Sequence, residues 1–407
     1  MLWRVMLAVS LVAPPVAAQD LRGHGGPVRA LAAGADGRIY SGSFDTRAIV
    51  WDGTSAAQIT RHHAGAVTAV LPMPGGRFAS GGQDGRVALW GAGPEPERSE
   101  IWHELPVAAL APWPGGLASA GWEGRIALWS GTAAPTYIDA HEGQITGLVG
   151  FAGGLASVGA DLRLRLWSSA GAPAGQIQLS APASGLASGG EALYLASPDG
   201  TLRRIVPDTA PDTAPVEAAL SNRPLLAVAA GAGMVAAAGT TGEVWLLDSV
   251  TLETRATIDT GQGPIWALAI ANEMLFTGGA DGLIRRWSLD GAPLGEGSGP
   301  PDPTLISPRG AEVFRACAVC HTLTPDDGAR AGPTLHGIFG RRIGTAPGYE
   351  YSQALEALDI IWTPRTVSEL FEFGPDAYTP GSRMPEQRVP SAEDRRALIR
   401  FLETATR

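Results

Sequence analysis

The residues best suited to chemistry lie together near the end of the chain. Cys317-Ala318-Val319-Cys320-His321 uses both cysteines of the 407-residue sequence. Two thiols at this spacing can add to the two vinyl groups of a haem, and the histidine that follows then lies beneath the iron as an axial ligand. A redox dithiol shares the bare spacing of the cysteines, but the adjoining histidine argues for covalent haem c. Of six methionines only Met384 falls in this region, 63 residues beyond His321 in a Pro-flanked loop. A thioether is soft and uncharged and favours ferrous iron, so Met384 is the expected sixth ligand and the potential should be raised. His336, fifteen residues after His321, is the competing ligand. With both iron positions filled by protein, substrate finds no open coordination site, which favours electron transfer over haem catalysis.

These residues need a scaffold, and the chain is long enough for two or three domains. It is 45% hydrophobic and 17% charged, so it can bury real cores. With 54 glycines, 32 prolines and 7% aromatics, many short elements joined by tight turns are expected. The formal charge is −10, and all 30 basic residues are arginine. An acidic chain without a basic cluster is a poor candidate for nucleic acid or anionic membranes, and two cysteines cannot build a disulfide framework. Residues 1–18 read as a secretory signal peptide: a basic start at Arg4, an apolar run from Val5 to Ala13, then small residues ending at Ala18. No later stretch is long enough to span a membrane as a helix. The mature chain is expected to begin near Gln19, in the periplasm.

Between residues 19 and 290 the sequence repeats itself. The clear copies are Ser41–Asp52 (SGSFDTRAIVWD), Ser80–Gly91, Ser119–Ser130, Ser157–Ser168 and Thr277–Ser288, with weaker ones at Ala196–Pro207 and Ala237–Asp248. Each has a small-residue strand, a turn residue (Asp45, Asp84, Glu123, Asp161, Asp199, Thr241, Asp281) and a strand ending six residues later in Trp51, Trp90, Trp129, Trp167, Ile205, Leu247 or Trp287. Successive units lie 38–42 residues apart, room for four short strands and no helix. Radial repetition of four-stranded units leaves few open edges, as in a propeller. The pattern stops after Ser288. Residues 291–303 read as a Gly/Pro-rich linker, although Gly291–Ser298 could supply the outer strand of the last unit, with the segment near Gln19–His24 as its rival.

The repeats resemble the WD-repeat family, which implies a seven-bladed propeller. In that family a His, a Ser or Thr, the turn Asp and the Trp form a structural hydrogen-bonded set. Matching positions are His24, Ser41 or Ser43, Asp45 and Trp51, with similar sets around His63 and His141; units five and six lack both His and Trp. Residues 304–407 resemble class I cytochrome c of the mitochondrial and c2 kind. The resemblance runs from Gly310 and Phe314 in a first helix, through Gly332-Pro333 to Arg341, to Tyr378 through Met384 and a C-terminal helix with an apolar stripe of Leu398, Ile399 and Leu402. It implies that Pro333 offers its carbonyl to the ligand histidine, that Arg341, Tyr351 and Trp362 face the haem propionates, and that Tyr378 belongs to the Met-ligand loop. Unlike the family's lysine-ringed carriers, this region holds 12 Arg against 13 Asp plus Glu.

The whole chain is therefore expected to be multidomain: an all-β propeller followed by an all-α cytochrome. The expected function is single-electron transfer in the periplasm with the propeller as a docking platform. Its acid excess (24 Asp plus Glu against 17 Arg over 19–288) points to a redox partner with a basic patch. The alternatives are an oxidoreductase or dehydrogenase with chemistry in the propeller, for which units of about 39 residues are small, and a haem redox sensor or assembly factor.

Overall fold

The computed structural model describes residues 20–131, 133–207, 215–295, 308–318, 320–323, 331–385 and 387–406. The leader expected over 1–18 and the linker residues 296–303 lie outside them. Among the described residues, the strands group into seven antiparallel sheets in chain order, six of four strands and a last one of three. The first blade comprises Val28–Ala33, Ile39–Ser43, Arg47–Asp52 and Ser55–Arg61. The seventh comprises Ile265–Ala271, Met274–Gly279 and Ile284–Ser288.

The small residues of the second strands are a packing requirement. A β-carbon on Gly42 would lie 2.6 Å from a methyl of Val67, the first strand residue of the next blade. The same relation holds for Gly81 with Val107 and, across the ring closure, for Gly278 with Val28. Glycine lets neighbouring sheets approach closely, and the buried valines fill the space between them. Clusters such as Tyr40, Val50, Val67, Phe78 and Trp90 therefore span two blades rather than one.

The last blade closes from both sides. Leu21 exchanges two main-chain hydrogen bonds with Ile284 (2.9 and 3.2 Å), while Leu294 donates to Arg286 (2.9 Å) and Pro293 lies opposite Trp287. The two rival segments thus share the outer edge of one strand, and a propeller assembled this way leaves less open edge.

Four of the five propeller histidines are structural. In blade one, the indole N–H of Trp51 donates to Ser41 Oγ (2.7 Å), which lies 2.7 Å from His24 Nε2, and His24 Nδ1 lies 3.0 Å from Asp45. Ser41, not Ser43, holds this position; Ser43 donates to the Gly26 carbonyl. His63, Asp84, Ser80 and Trp90 repeat the set in blade two, and His141, Asp161, Ser157 and Trp167 in blade four. Blade three uses Glu123 against His103, with Ser119 on the other ring nitrogen. Its Trp129 stacks near Trp102 instead and makes no indole hydrogen bond. In blade seven Gln262 stands in for histidine, donating to Asp281 (2.9 Å) and accepting from Thr277 (2.6 Å). Blade five substitutes Arg203, which donates to Ser197 and pairs with Asp199.

These sets make the propeller acid-sensitive. Burial holds the His103 and His141 imidazoles below their ordinary 6.5, only partly offset by Glu123 and Asp161. The carboxyls of Asp84 and Asp161 resist the upward push of burial and, through His63 and His141, sit at about 2 rather than 3.8. In the unfolded chain the imidazoles take protons first, so stability is complete above pH 6.5 and declines below it. The carboxylate contribution is present above 3.8 and is lost as pH falls through 2. Thermal melting followed from pH 7.5 to pH 3 should show the propeller midpoint dropping in two stages. At roughly 2–4 °C per kcal/mol for a domain of this size, each stage should be measurable; a flat profile down to pH 4 would contradict the assignment.

The C-terminal part is helical: α1 Pro308–Ala318, α2 Gln353–Glu356, α3 Pro364–Phe373, α4 Pro375–Tyr378 and α5 Ala392–Ala405. Helix α5 starts at an N-cap, where Asp394 N donates to Ser391 Oγ, with Glu393 and Asp394 in the favourable first turn. Helix α3 has a Thr363/Thr366 capping box and ends at Gly374, whose φ of 87° turns the chain into α4. Helices α1 and α5 cross where a Gly310 β-carbon would lie 2.6 Å from Phe401 Cβ. Phe314 packs on Phe401 there (centroids 5.2 Å), beside buried Leu398 and Leu402. Ile399 sits at the margin, so Phe401 takes the packing role that the spacing had suggested for it. An Arg309–Asp394 pair (2.7 and 2.9 Å) fastens the two helices outside the core. Among the described residues, no helix is long and apolar enough to cross a membrane.

Candidate functional site

The two cysteines sit where α1 ends. His321 N donates to the Cys317 carbonyl (2.9 Å) and Cys320 N to the same oxygen (3.1 Å), so one tight turn presents both sulfurs and the imidazole together. Cys317 is buried, and burial pushes its thiol up to about 11. The thiol is therefore a neutral hydrophobic wall group at ordinary pH. Both cysteines and His321 line one cavity of ≈ 430 Å³.

His321 is held from behind. Its Nδ1 lies 2.7 Å from the Pro333 carbonyl, which fixes the ring and its tautomer. Gly332 makes this possible, because a β-carbon there would lie 2.5 Å from the imidazole. Its own N–H donates to the Cys320 carbonyl (2.9 Å). The ligand turn and the Gly332-Pro333 strap are thus stitched to each other on both sides of the ring.

Met384 lines the same cavity from the other side, on a loop pinned by Ser382, whose hydroxyl accepts from Met384 N (3.0 Å). Ser352 donates to the Gly381 carbonyl (3.0 Å) and so ties that loop to the start of α2. His336 is not on the cavity wall. The wall is mainly apolar, with Phe314, Leu335, Ile338, Trp362, Leu370 and Leu402 contributing to it. A cavity of this size, mainly apolar and lined by a histidine, a thioether and two thiols, fits a flat macrocycle attached through the cysteines. Among the described residues no cluster of His, Cys, Asp and Glu could hold a metal by itself.

Arg341, Tyr351 and Trp362 all reach the cavity. Arg341 donates to the carbonyls of His336 (3.0 Å) and Thr334 (2.5 Å), and Trp362 N donates to the Arg341 carbonyl (2.9 Å). Tyr378 is elsewhere: it is off the cavity wall, its hydroxyl donates to Glu369 (2.8 Å), and its ring stacks with Phe373. Burial and the Glu369 carboxylate together push its phenol up to about 12. It supports the loop from outside rather than facing the cavity.

Sequence reasoning missed two groups. Tyr349 lines the cavity and donates to the Ala331 carbonyl (2.6 Å); its nearness to Tyr351 was the available signal. Phe44, Arg61 and Gln83 of the propeller also line the cavity. They lie more than two hundred residues from the cysteines, and nothing local in the sequence marks them.

Comparison with known proteins divides the chain in the same place. The family described as "Cytochrome c" matches residues 307–406, and "WD domain, G-beta repeat" matches 16–52 and 54–91. Cytochrome c of Cochliobolus lunatus is 41% identical over 100 residues, covering 92% of that protein and 24% of this chain. Cytochrome c of Arabidopsis thaliana is also 41% identical over 100 residues, covering 88% of its length. The crystal structure of the computationally designed Ika8 protein superposes with a TM-score of 0.53 at 18% identity, covering 67% of this chain and 99% of that one. At that identity the likeness speaks for fold alone.

Proposed function

Residues 307–406 place this chain in the cytochrome c family, and from that premise we propose that it is an exported one-electron carrier with a protein-binding propeller. The chain joins a WD-repeat propeller to a domain carrying covalently bound haem c. In the proposal, Cys317 and Cys320 would hold the haem covalently, and His321 and Met384 would be the two protein ligands to its iron. The haem iron supplies reversible single-electron exchange when bound.

The protein's share is positioning and environment. The Pro333 carbonyl orients His321 and keeps its Nδ1 proton in place, which raises the basicity of Nε2. The apolar wall excludes water and, with the Met384 thioether, favours the less charged ferrous state. Arg341, Tyr351 and Trp362 are the proposed propionate contacts.

One observation carries the reading: His321 and Met384 share one cavity with both cysteines, and His336 does not line it. Redox titration of the purified protein should give a reversible one-electron couple with one haem per chain. A haem-to-chain ratio above one, or spectral bleaching by an added alcohol or sugar without a mediator, would replace a carrier with an enzyme. Export is supported by the signal-like pattern of residues 1–18 and is tested by N-terminal sequencing, expected to begin near Gln19. Propeller acidity supports a partner with a basic patch, whose association should slow as salt rises.

A further inference from the structure

The haem pocket is not closed by the C-terminal domain alone. Its wall continues onto the propeller, where Phe44, Arg61 and Gln83 from blades one and two line the same cavity. The contact has a defined main-chain component: Ala331 N donates to the Gly25 carbonyl (3.0 Å). Gly25 is itself held, its N–H donating to Asp45 (2.8 Å), the acid of the first blade's histidine set. At the adjoining residue, Gly26, a β-carbon would stand 3.2 Å from both Ala331 Cβ and Asp45 N. The two parts therefore meet at near-contact distance.

The grip is on a sensitive piece of backbone. Ala331 also accepts the Tyr349 hydroxyl, and it immediately precedes the Gly332-Pro333 strap behind His321. The haem's thioethers would form at Cys317 and Cys320, and the Cys320 carbonyl accepts from Gly332 N (2.9 Å), next in chain to Ala331. The propeller contact therefore adjoins the turn that would carry the thioethers.

We propose that the loop rim of blades one and two is a docking surface whose resident occupant is the thioether edge of this chain's own haem, so that protein partners reach that edge only when the contact opens. The inference rests on the haem domain acting as an electron carrier. Contacts between domains of one chain permit relative motion unless they are large and apolar. The propeller would then work as a shield as well as a recognition module, and a partner that binds its rim would uncover the haem in the same event.

The test is a covalent lock in the full-length holoprotein. Gly26→Cys with Ala331→Cys places two β-carbons at a separation that a small shift brings into disulfide range. Cys317 and Cys320 are consumed by the haem, so the introduced pair supplies the two titratable thiols. Mild oxidation should remove both thiols without aggregation. The locked, reduced protein should then pass electrons to a soluble blue copper protein at least about tenfold more slowly than the Gly26→Cys single variant, the factor that 1.4 kcal/mol of opening free energy represents. Hexacyanoferrate(III), being small, should discriminate less. A second variant, Phe44→Asp, loosens the rim without new thiols and should speed the blue copper reaction. Thiols that stay free under oxidation would overturn the contact whatever the haem does. Equal blue copper rates for locked and single variants, or for Phe44→Asp and wild type, would overturn the shielding. A protein without a one-electron couple would instead remove the carrier reading on which both rest.

Discussion

A chain carrying Cys317→Ala and Cys320→Ala together will not retain haem through denaturation. Its mass will be that of the apoprotein, and any pigment will pass entirely into acid acetone. The expected effect is all-or-none because these are the sequence's two cysteines and both border the cavity that holds His321 and Met384. Single variants should keep one thioether and part of the colour. Cys317, buried at the end of α1, should matter more to stability than Cys320, since removing its sulfur also empties a place in the core beside Phe314 and Leu398. Full haem retention in the double variant would remove covalent attachment from the account.

Met384→Ala should keep the haem and lose the potential. With its thioether gone, the ferrous state loses its soft ligand. The midpoint should fall on the order of 0.1 V or more, within the ≈ 0.8 V that axial ligands span across haem proteins. The weak long-wavelength sulfur-to-iron band of the oxidised protein should vanish with it. His336→Ala should alter neither, because His336 lies off the cavity wall. If His336→Ala abolishes the low-spin spectrum while Met384→Ala does not, the ligand has been misassigned.

What could be read from sequence follows from range. The Cys317-to-His321 motif was legible because residue type and spacing alone point to its chemistry, and Met384 stood out as the one methionine in the C-terminal region. The blades were legible because the repeat writes the same small residues, turn acid and tryptophan at a fixed interval. His103 with Glu123 and Gln262 with Asp281 and Thr277 were harder: the partner types change while the geometry persists. Tyr378 shows the converse: it ends α4 ahead of the Met384 loop, and its hydroxyl donates to Glu369 rather than facing the cavity. Phe44, Arg61 and Gln83 could not be foreseen at all. Their position against the haem pocket depends on how two separately patterned domains meet, and no periodicity in either records it.

The closing of the seventh blade imposes an order of assembly. Leu21 bonds to Ile284, and Pro293 and Leu294 cover the rest of that strand. A ribosome delivers residue 21 early and residue 294 late, so the ring stays an open arc until nearly three-quarters of the chain exists. Contacts of such long sequence separation form slowly, and an arc with unpaired ends is exposed to pairing with other chains. Helix α1, which carries Cys317, begins at Pro308, soon after Leu294 in the chain. Any delay in closing the ring would therefore lengthen the time for which the edges of that arc stay open to pairing.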